Sequence, residues 1–181
     1  MKKRTAFIAA ILSLIPLGNP LILKTGVVLF TTGLMLFIPE KINAETFKYY
    51  FELAYDKGKK GDYYGAIADY TKAIEINPQF AKSYYNRGWN KGKLKDYYGA
   101  ISDFTKAIEI NPQYGKSYYN RGWNKHKIRD YYGAISDFTK AIEIDPFNKA
   151  AYKNRGIAKR KLKDNYGAIS DYNKALEIDP N

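Results

Sequence analysis

Residues 81–114, AKSYYNRGWNKGKLKDYYGAISDFTKAIEINPQY, and residues 115–148, GKSYYNRGWNKHKIRDYYGAISDFTKAIEIDPFN, are two copies of one 34-residue unit. They differ at seven positions only: Ala81/Gly115, Gly92/His126, Leu94/Ile128, Lys95/Arg129, Asn111/Asp145, Gln113/Phe147 and Tyr114/Asn148. The same period runs outward in both directions. Pro78, Pro112, Pro146 and Pro180 stand 34 residues apart, as do Gly65, Gly99, Gly133 and Gly167, and Asp62, Asp96, Asp130 and Asp164. A period of this length marks a supersecondary unit that cannot bury its apolar face alone and stacks on its neighbours.

Within one unit, Ala100, Ile101, Phe104, Ala107 and Ile108 fall on one helical face. Asp96 is placed to cap that helix and Pro112 stands after its end. Before it, residues 81–94 carry Tyr84, Gly88 and Leu94 on one side, and Lys95-Asp96 is a turn short enough to force an antiparallel helix pair. Gly88 and Ala100 are small where those two helices must approach closely. The expected units are about 47–80, 81–114, 115–148 and 149–181, giving a repeat domain over 45–181.

This pattern resembles the tetratricopeptide repeat. The family's packing positions fall on Tyr84, Gly88, Ala100, Phe104, Ala107 and Pro112, then on Tyr118, Gly122, Ala134, Phe138, Ala141 and Pro146. The outer units match with Tyr50, Ala54, Ala66, Tyr70, Ala73 and Pro78, and with Tyr152, Gly156, Ala168, Tyr172, Ala175 and Pro180. Lys57, Lys91, Lys125 and Lys159 depart from it, standing where the family usually has a large apolar residue; their stems can cover apolar surface, with looser packing. The resemblance implies an all-α fold, a right-handed superhelical solenoid of antiparallel helix pairs whose first helices line a concave groove.

It also implies a function, that of a scaffold binding an extended peptide or a helix of another protein. The family's groove positions fall on Lys82, Tyr85, Asn86, Trp89 and Lys93, on Lys116, Tyr119, Asn120, Trp123 and Lys127, and on Lys153, Asn154, Arg160 and Lys161. Asparagine amides can bond a peptide backbone, aromatic rings give contact area at low entropy cost, and lysines favour acidic residues. An acidic, partly extended polypeptide is therefore the expected ligand. Some members of the family grip a C-terminal carboxylate with two lysines, two asparagines and an arginine. Here Asn86 and Lys116 match that clamp, whereas Phe51, Tyr55 and Asn120 replace lysine, asparagine and arginine, which argues against it. Arg87, Arg121 and Arg155 are expected to pair with Asp103, Asp137 and Asp171 of their own units. The remaining basic first helices and acidic second helices also suit ordinary solvated faces.

Composition narrows the alternatives. The 181 residues contain no cysteine and one histidine, His126, which excludes thiolate and multi-histidine metal sites; no metal or cofactor is expected. The serines sit at repeat-equivalent positions and no glycine-rich phosphate loop appears, so the chain does not read as an enzyme. His126 replaces a glycine and is expected to be exposed. The net charge is +12, and residues 45–181 hold 25 Lys+Arg against 17 Asp+Glu with aromatics interleaved. That would suit a basic-groove binder of nucleic acid. Acidic residues spread through every unit argue against it.

Residues 1–44 read differently. Lys2-Lys3-Arg4 precedes an apolar run from Thr5 to Ile15, a break over Pro16–Pro20, and a second run from Leu21 to Ile38 interrupted by Lys24. A membrane-crossing helix needs about 20 apolar residues, so residues 6–38 are expected to stay in a bacterial-type inner or internal membrane as one kinked span or a helical hairpin. The alternative is a long signal peptide cleaved near Ala44, leaving an exported, periplasmic adaptor. At the other end, Leu176 and Ile178 of the last unit are expected to lie uncovered, where a second copy of the chain could associate.

Overall fold

The computed structural model describes residues 21–22, 27–29, 35–37 and 40–180. Among the described residues eight helices follow one another in packed antiparallel pairs: α1 (Glu40–Lys59) with α2 (Tyr63–Ile76), α3 (Ala81–Lys93) with α4 (Tyr97–Ile110), α5 (Gly115–Lys127) with α6 (Tyr131–Ile144), and α7 (Lys149–Lys161) with α8 (Asn165–Ile178). The second helix of each pair packs on the first helix of the next, as a solenoid of nearest-neighbour interfaces requires.

Each turn inside a pair is built from two overlapping caps. Asp96 N–H donates to the Lys91 carbonyl (3.0 Å) and Lys95 N–H to the Gly92 carbonyl (3.0 Å), the Schellman arrangement that ends α3. The Asp96 carboxylate then accepts from Gly99 N–H (2.9 Å), capping α4. The left-handed residue this turn needs is Gly61 in the first pair, at φ 85°, but Lys95, Arg129 and Lys163 in the others, at φ 63° to 66°. The second helices stop one residue before each proline because a pre-proline residue avoids helical backbone; Asn111 is extended at φ −133°.

The core is a file of small and aromatic residues. Ala100, Phe104, Ala107, Ala134, Phe138 and Ala141 are almost fully buried, and Ala54, Ala66, Tyr70 and Ala73 repeat the arrangement in the first pair. Gly88 earns its place by proximity: a Cβ there would lie 3.1 Å from Asp103 Cβ and 3.2 Å from the Ala100 carbonyl oxygen. The close approach expected of Gly88 and Ala100 is what the fold uses.

The expected membrane helix is corrected. Within the second apolar run, the described segments are strands β1 (Leu21–Ile22), β2 (Val27–Leu29) and β3 (Met35–Phe37), antiparallel in the order β1-β2-β3, with Leu21 opposite Leu29 and Val28 opposite Leu36. Among the described residues no helix is long and apolar enough to cross a membrane. The longest, α1, carries charges along its whole length, from Glu40 and Lys41 to Lys57 and Lys59. The membrane localisation of residues 6–38 is therefore withdrawn, and the run Thr5 to Ile15 lies outside the described residues. Ala44, the alternative cleavage point, falls inside α1 rather than in a linker.

Candidate partner-binding groove

Ion triads join the two helices of the second, third and fourth pairs. Asp137, almost fully buried, accepts from Arg121 Nε (2.9 Å) and Nη2 (2.7 Å), and Lys125 Nζ lies 2.9 Å from the same carboxylate. Arg121 Nη1 reaches on to Thr105 Oγ1 of the preceding pair at 3.0 Å. The set recurs as Arg87, Lys91, Asp103 and Thr71, and as Arg155, Lys159, Asp171 and Thr139. Arg87, Arg121 and Arg155 thus pair as the sequence suggested. Lys91, Lys125 and Lys159 do more than cover apolar surface, because an arginine and a lysine one helical turn apart face one carboxylate. In the first pair Leu53 replaces the arginine and Lys57 alone meets Asp69 at 2.6 Å, joined from its own helix by Lys72. Glu109 and Glu143 pair instead along their own helices, with Lys106 and Lys140.

With arginines so engaged, the groove wall is left to the other first-helix positions. Trp89 is 38% exposed and Trp123 half-buried, with Lys93 Nζ 4.6 Å and Lys127 Nζ 4.7 Å from their ring centroids. Tyr63 and Tyr97, which the sequence reading passed over, set their rings edge-on to these tryptophans at 6.2 Å. Their Asp-Tyr-Tyr position in the first three units was the available signal; the fourth unit reads Asp-Asn-Tyr at 164–166. Lys82, Lys116 and Lys153 are exposed and make no ion pair among the described residues, Lys82 lying over the Phe51 ring. Lys161 and Arg160 are exposed at the end of α7.

The remaining candidates belong partly to the packing. Tyr85 lies against Phe104 and Tyr114, and Tyr119 against Phe138. Burial raises both phenols above the usual tyrosine range, opposed by hydrogen bonds from Asn120 and Asn154. Asn120 Nδ2 donates to Tyr85 Oη (3.3 Å) and Asn154 Nδ2 to Tyr119 Oη (2.8 Å). Asn86 has no such partner, since Phe51 stands where a tyrosine would be. It faces the Tyr70 phenol, yet its Nδ2 completes no hydrogen bond, nor does Oδ1 of buried Asn90. Both line a pocket of about 290 Å³ with Tyr55, Lys59 and Trp89.

His126 corrects an expectation. It is half-buried, its ring edge-on to Tyr131 at 5.3 Å and its Nε2 enclosed without a partner. Burial, then Lys127 and Lys161, hold its pKa below the ordinary imidazole value of 6.5. The unfolded chain therefore takes the proton first, and the stability this neutral ring contributes is full above about pH 6.5 and lost as pH falls towards its lower folded value. In His126→Gln that loss should vanish: the stability gap between wild type and variant, measured by urea unfolding, narrows or inverts from pH 7 to pH 5. A gap constant with pH would refute it.

Family models described as tetratricopeptide repeat match residues 81–114, 150–181 and 115–148, and a TPR-repeat model matches residues 59–92. A crystal structure of MamA superposes with a TM-score of 0.74 at 24% identity, over 77% of this chain and 82% of that one, which speaks for the fold alone. The Arabidopsis OM64 TPR domain is 29% identical with a TM-score of 0.64, over 65% of this chain and 98% of its own. The first TPR of Spaghetti (RPAP3), bound to the HSP90 peptide SRMEEVD, is 26% identical with a TM-score of 0.65, over 66% of this chain and 94% of its own. The comparison with curated proteins gives no match.

Proposed function

The chain belongs to the tetratricopeptide-repeat family, and from that premise we propose that its groove binds an extended acidic peptide, or an acidic helix, of another protein without chemistry of its own. Tetratricopeptide domains are protein-interaction scaffolds, and the Spaghetti domain is bound to a peptide rich in glutamate and aspartate. The observation that supports the acidic preference is that Lys82, Lys116 and Lys153 of the first helices are exposed and make no ion pair among the described residues, while Lys93 and Lys127 lie over Trp89 and Trp123. Asn86 and Lys116 could still hold a carboxylate, but with Phe51, Tyr55 and Asn120 at the other clamp positions the grip differs from the five-residue one.

Trp89 and Trp123, the two tryptophans of the chain, are both proposed groove residues, so on this reading their fluorescence reports occupancy directly. Titrating the full chain with a glutamate-rich extended peptide should shift the emission saturably. Trp123→Ala and Lys82→Glu/Lys116→Glu should each weaken binding by at least about tenfold, as central aromatic and charge anchors do, while Lys140→Glu on a second helix leaves it unchanged. Emission that stays flat, or equal weakening by Lys140→Glu, would overturn the proposal.

A further inference from the structure

The charges that the sequence intersperses are sorted by the fold. Asp69, Asp103, Asp137 and Asp171 are consumed inside the helix pairs. Glu109, Glu143 and Glu177 are paired along the second helices. Asp62, Asp96, Asp130 and Asp164 cap helices through their carboxylates. Left over at the turns joining first to second helices are Lys60, Lys95, Arg129, Arg160, Lys161 and Lys163, all exposed and, among the described residues, none in an ion pair. The acids at this edge are the capping Asp62, Asp96, Asp130 and Asp164, exposed and still charged, so the six cations outnumber them there without being free of them.

Two further features mark the edge. Lys95, Arg129 and Lys163 occupy left-handed backbone, where the first pair has Gly61. A side chain there is strained relative to glycine, so three of the four units carry a cation at a cost in stability. Three residues after each lies a tyrosine that packing does not require: Tyr98 is 73% exposed, Tyr132 77% and Tyr166 90%, and Tyr64 follows Gly61 at 77%. Each unit thus presents a bare ring beside its turn, and the 34-residue period repeats it along the stack.

The geometry points to a second binding surface, sharing only Arg160 and Lys161 with the candidate groove positions, in which this edge takes single-stranded nucleic acid, phosphates meeting the turn cations and bases stacking on Tyr64, Tyr98, Tyr132 and Tyr166. A single strand carries both a phosphate and a flat ring at every residue, matching a row that repeats both, whereas an acidic peptide offers rings only where it carries aromatic side chains.

The test uses the full chain and a fluorescein-labelled oligouridylate of about 20 nucleotides, followed by anisotropy from about 50 mM salt upward. Lys95→Gly/Arg129→Gly/Lys163→Gly removes the charges while relaxing the backbone, so lost binding cannot be blamed on lost folding. It should weaken binding at least about tenfold and flatten the log–log salt slope by about 2, at roughly 0.7 per phosphate contact. Tyr98→Ala/Tyr132→Ala should weaken binding at least about fivefold with the salt slope unchanged, since stacking releases no counterions. Absence of saturable binding at the lowest salt would overturn the inference. So would tyrosine substitutions without effect, or a labelled polyglutamate that binds the same edge more tightly, which would make the partner an acidic peptide. Equal loss in Trp89→Ala/Trp123→Ala would place the strand in the groove and overturn it too.

Discussion

Asp137→Ala is expected to destabilise the domain by about 3–5 kcal/mol, the range for stripping one partner from a buried ionic group. The carboxylate is 4% exposed and holds two cations, Arg121 and Lys125, whose own side chains are only 16% and 21% exposed. With the aspartate gone, both positive groups remain beside each other in the wall between α5 and α6 with nothing to offset them. Arg121 also bridges to Thr105 of the previous pair, so the loss reaches the interface between units, on which a solenoid's cooperativity depends. Urea unfolding of the full chain should show a lower midpoint and a broader transition. Glu143→Ala, which removes an exposed pair with Lys140, is the control and should leave the midpoint in place. If Asp137→Ala unfolds within about 1 kcal/mol of wild type, Arg121 and Lys125 are escaping to water and the triad is not a buried ionic group in the sense argued.

The triad also shows what a single sequence could and could not convey. Arginine and aspartate recur in every unit from the second on, and two invariant opposite charges on helices that must touch imply their pairing. The lysine one turn along was equally visible, but a lysine can lay its stem on apolar surface or bring its head to a carboxylate, and only the position of Asp103 relative to both side chains decides between them. Helix phase, caps and the glycine approaches were legible because a 34-residue period states which residues are equivalent.

Other features had no such internal standard. The run from Leu21 to Ile38 occurs once, and its apolar pieces, divided by Gly26 and Gly33, are short enough that periodicity does not separate strand from helix. His126 looked exposed because its counterpart is glycine; the counterpart of its neighbour decides otherwise. Asn124 packs over Gly92, and Asn90 over Gly58, but Ala158 lies where the next asparagine would be. A histidine has replaced a glycine where an alanine has replaced an asparagine, so volume is exchanged across the interface. In the groove, position in the repeat located the side chains, but not that Phe51 lacks the hydroxyl that occupies the asparagine amide in later pairs.

Gly122→Val is expected to cost about 3 kcal/mol or more, at the upper end of overpacking penalties. A Cβ at Gly122 would sit 3.1 Å from Asp137 Cβ and 3.1 Å from two ring carbons of Phe138, so the branched methyls beyond it have no room while α5 and α6 keep their separation. Alanine is a different case, and the molecule contains the comparison: Ala54 holds the equivalent place in the first pair, fully buried against Ala66 and Tyr70. Gly122→Ala needs a shift of a few tenths of an ångström and gains up to about 1 kcal/mol of helix propensity, so it should lie near wild type. The valine also wedges against Asp137 itself, which makes its effect inseparable from the triad. In the double variant Gly122→Val/Asp137→Ala, urea unfolding should therefore give a loss smaller than the sum of the two, by at least about 1 kcal/mol, because substitutions sharing a contact do not add. Strict additivity would mean that valine is accommodated by movement away from Asp137, through Phe138, and that the glycine protects the aromatic core rather than the ionic wall.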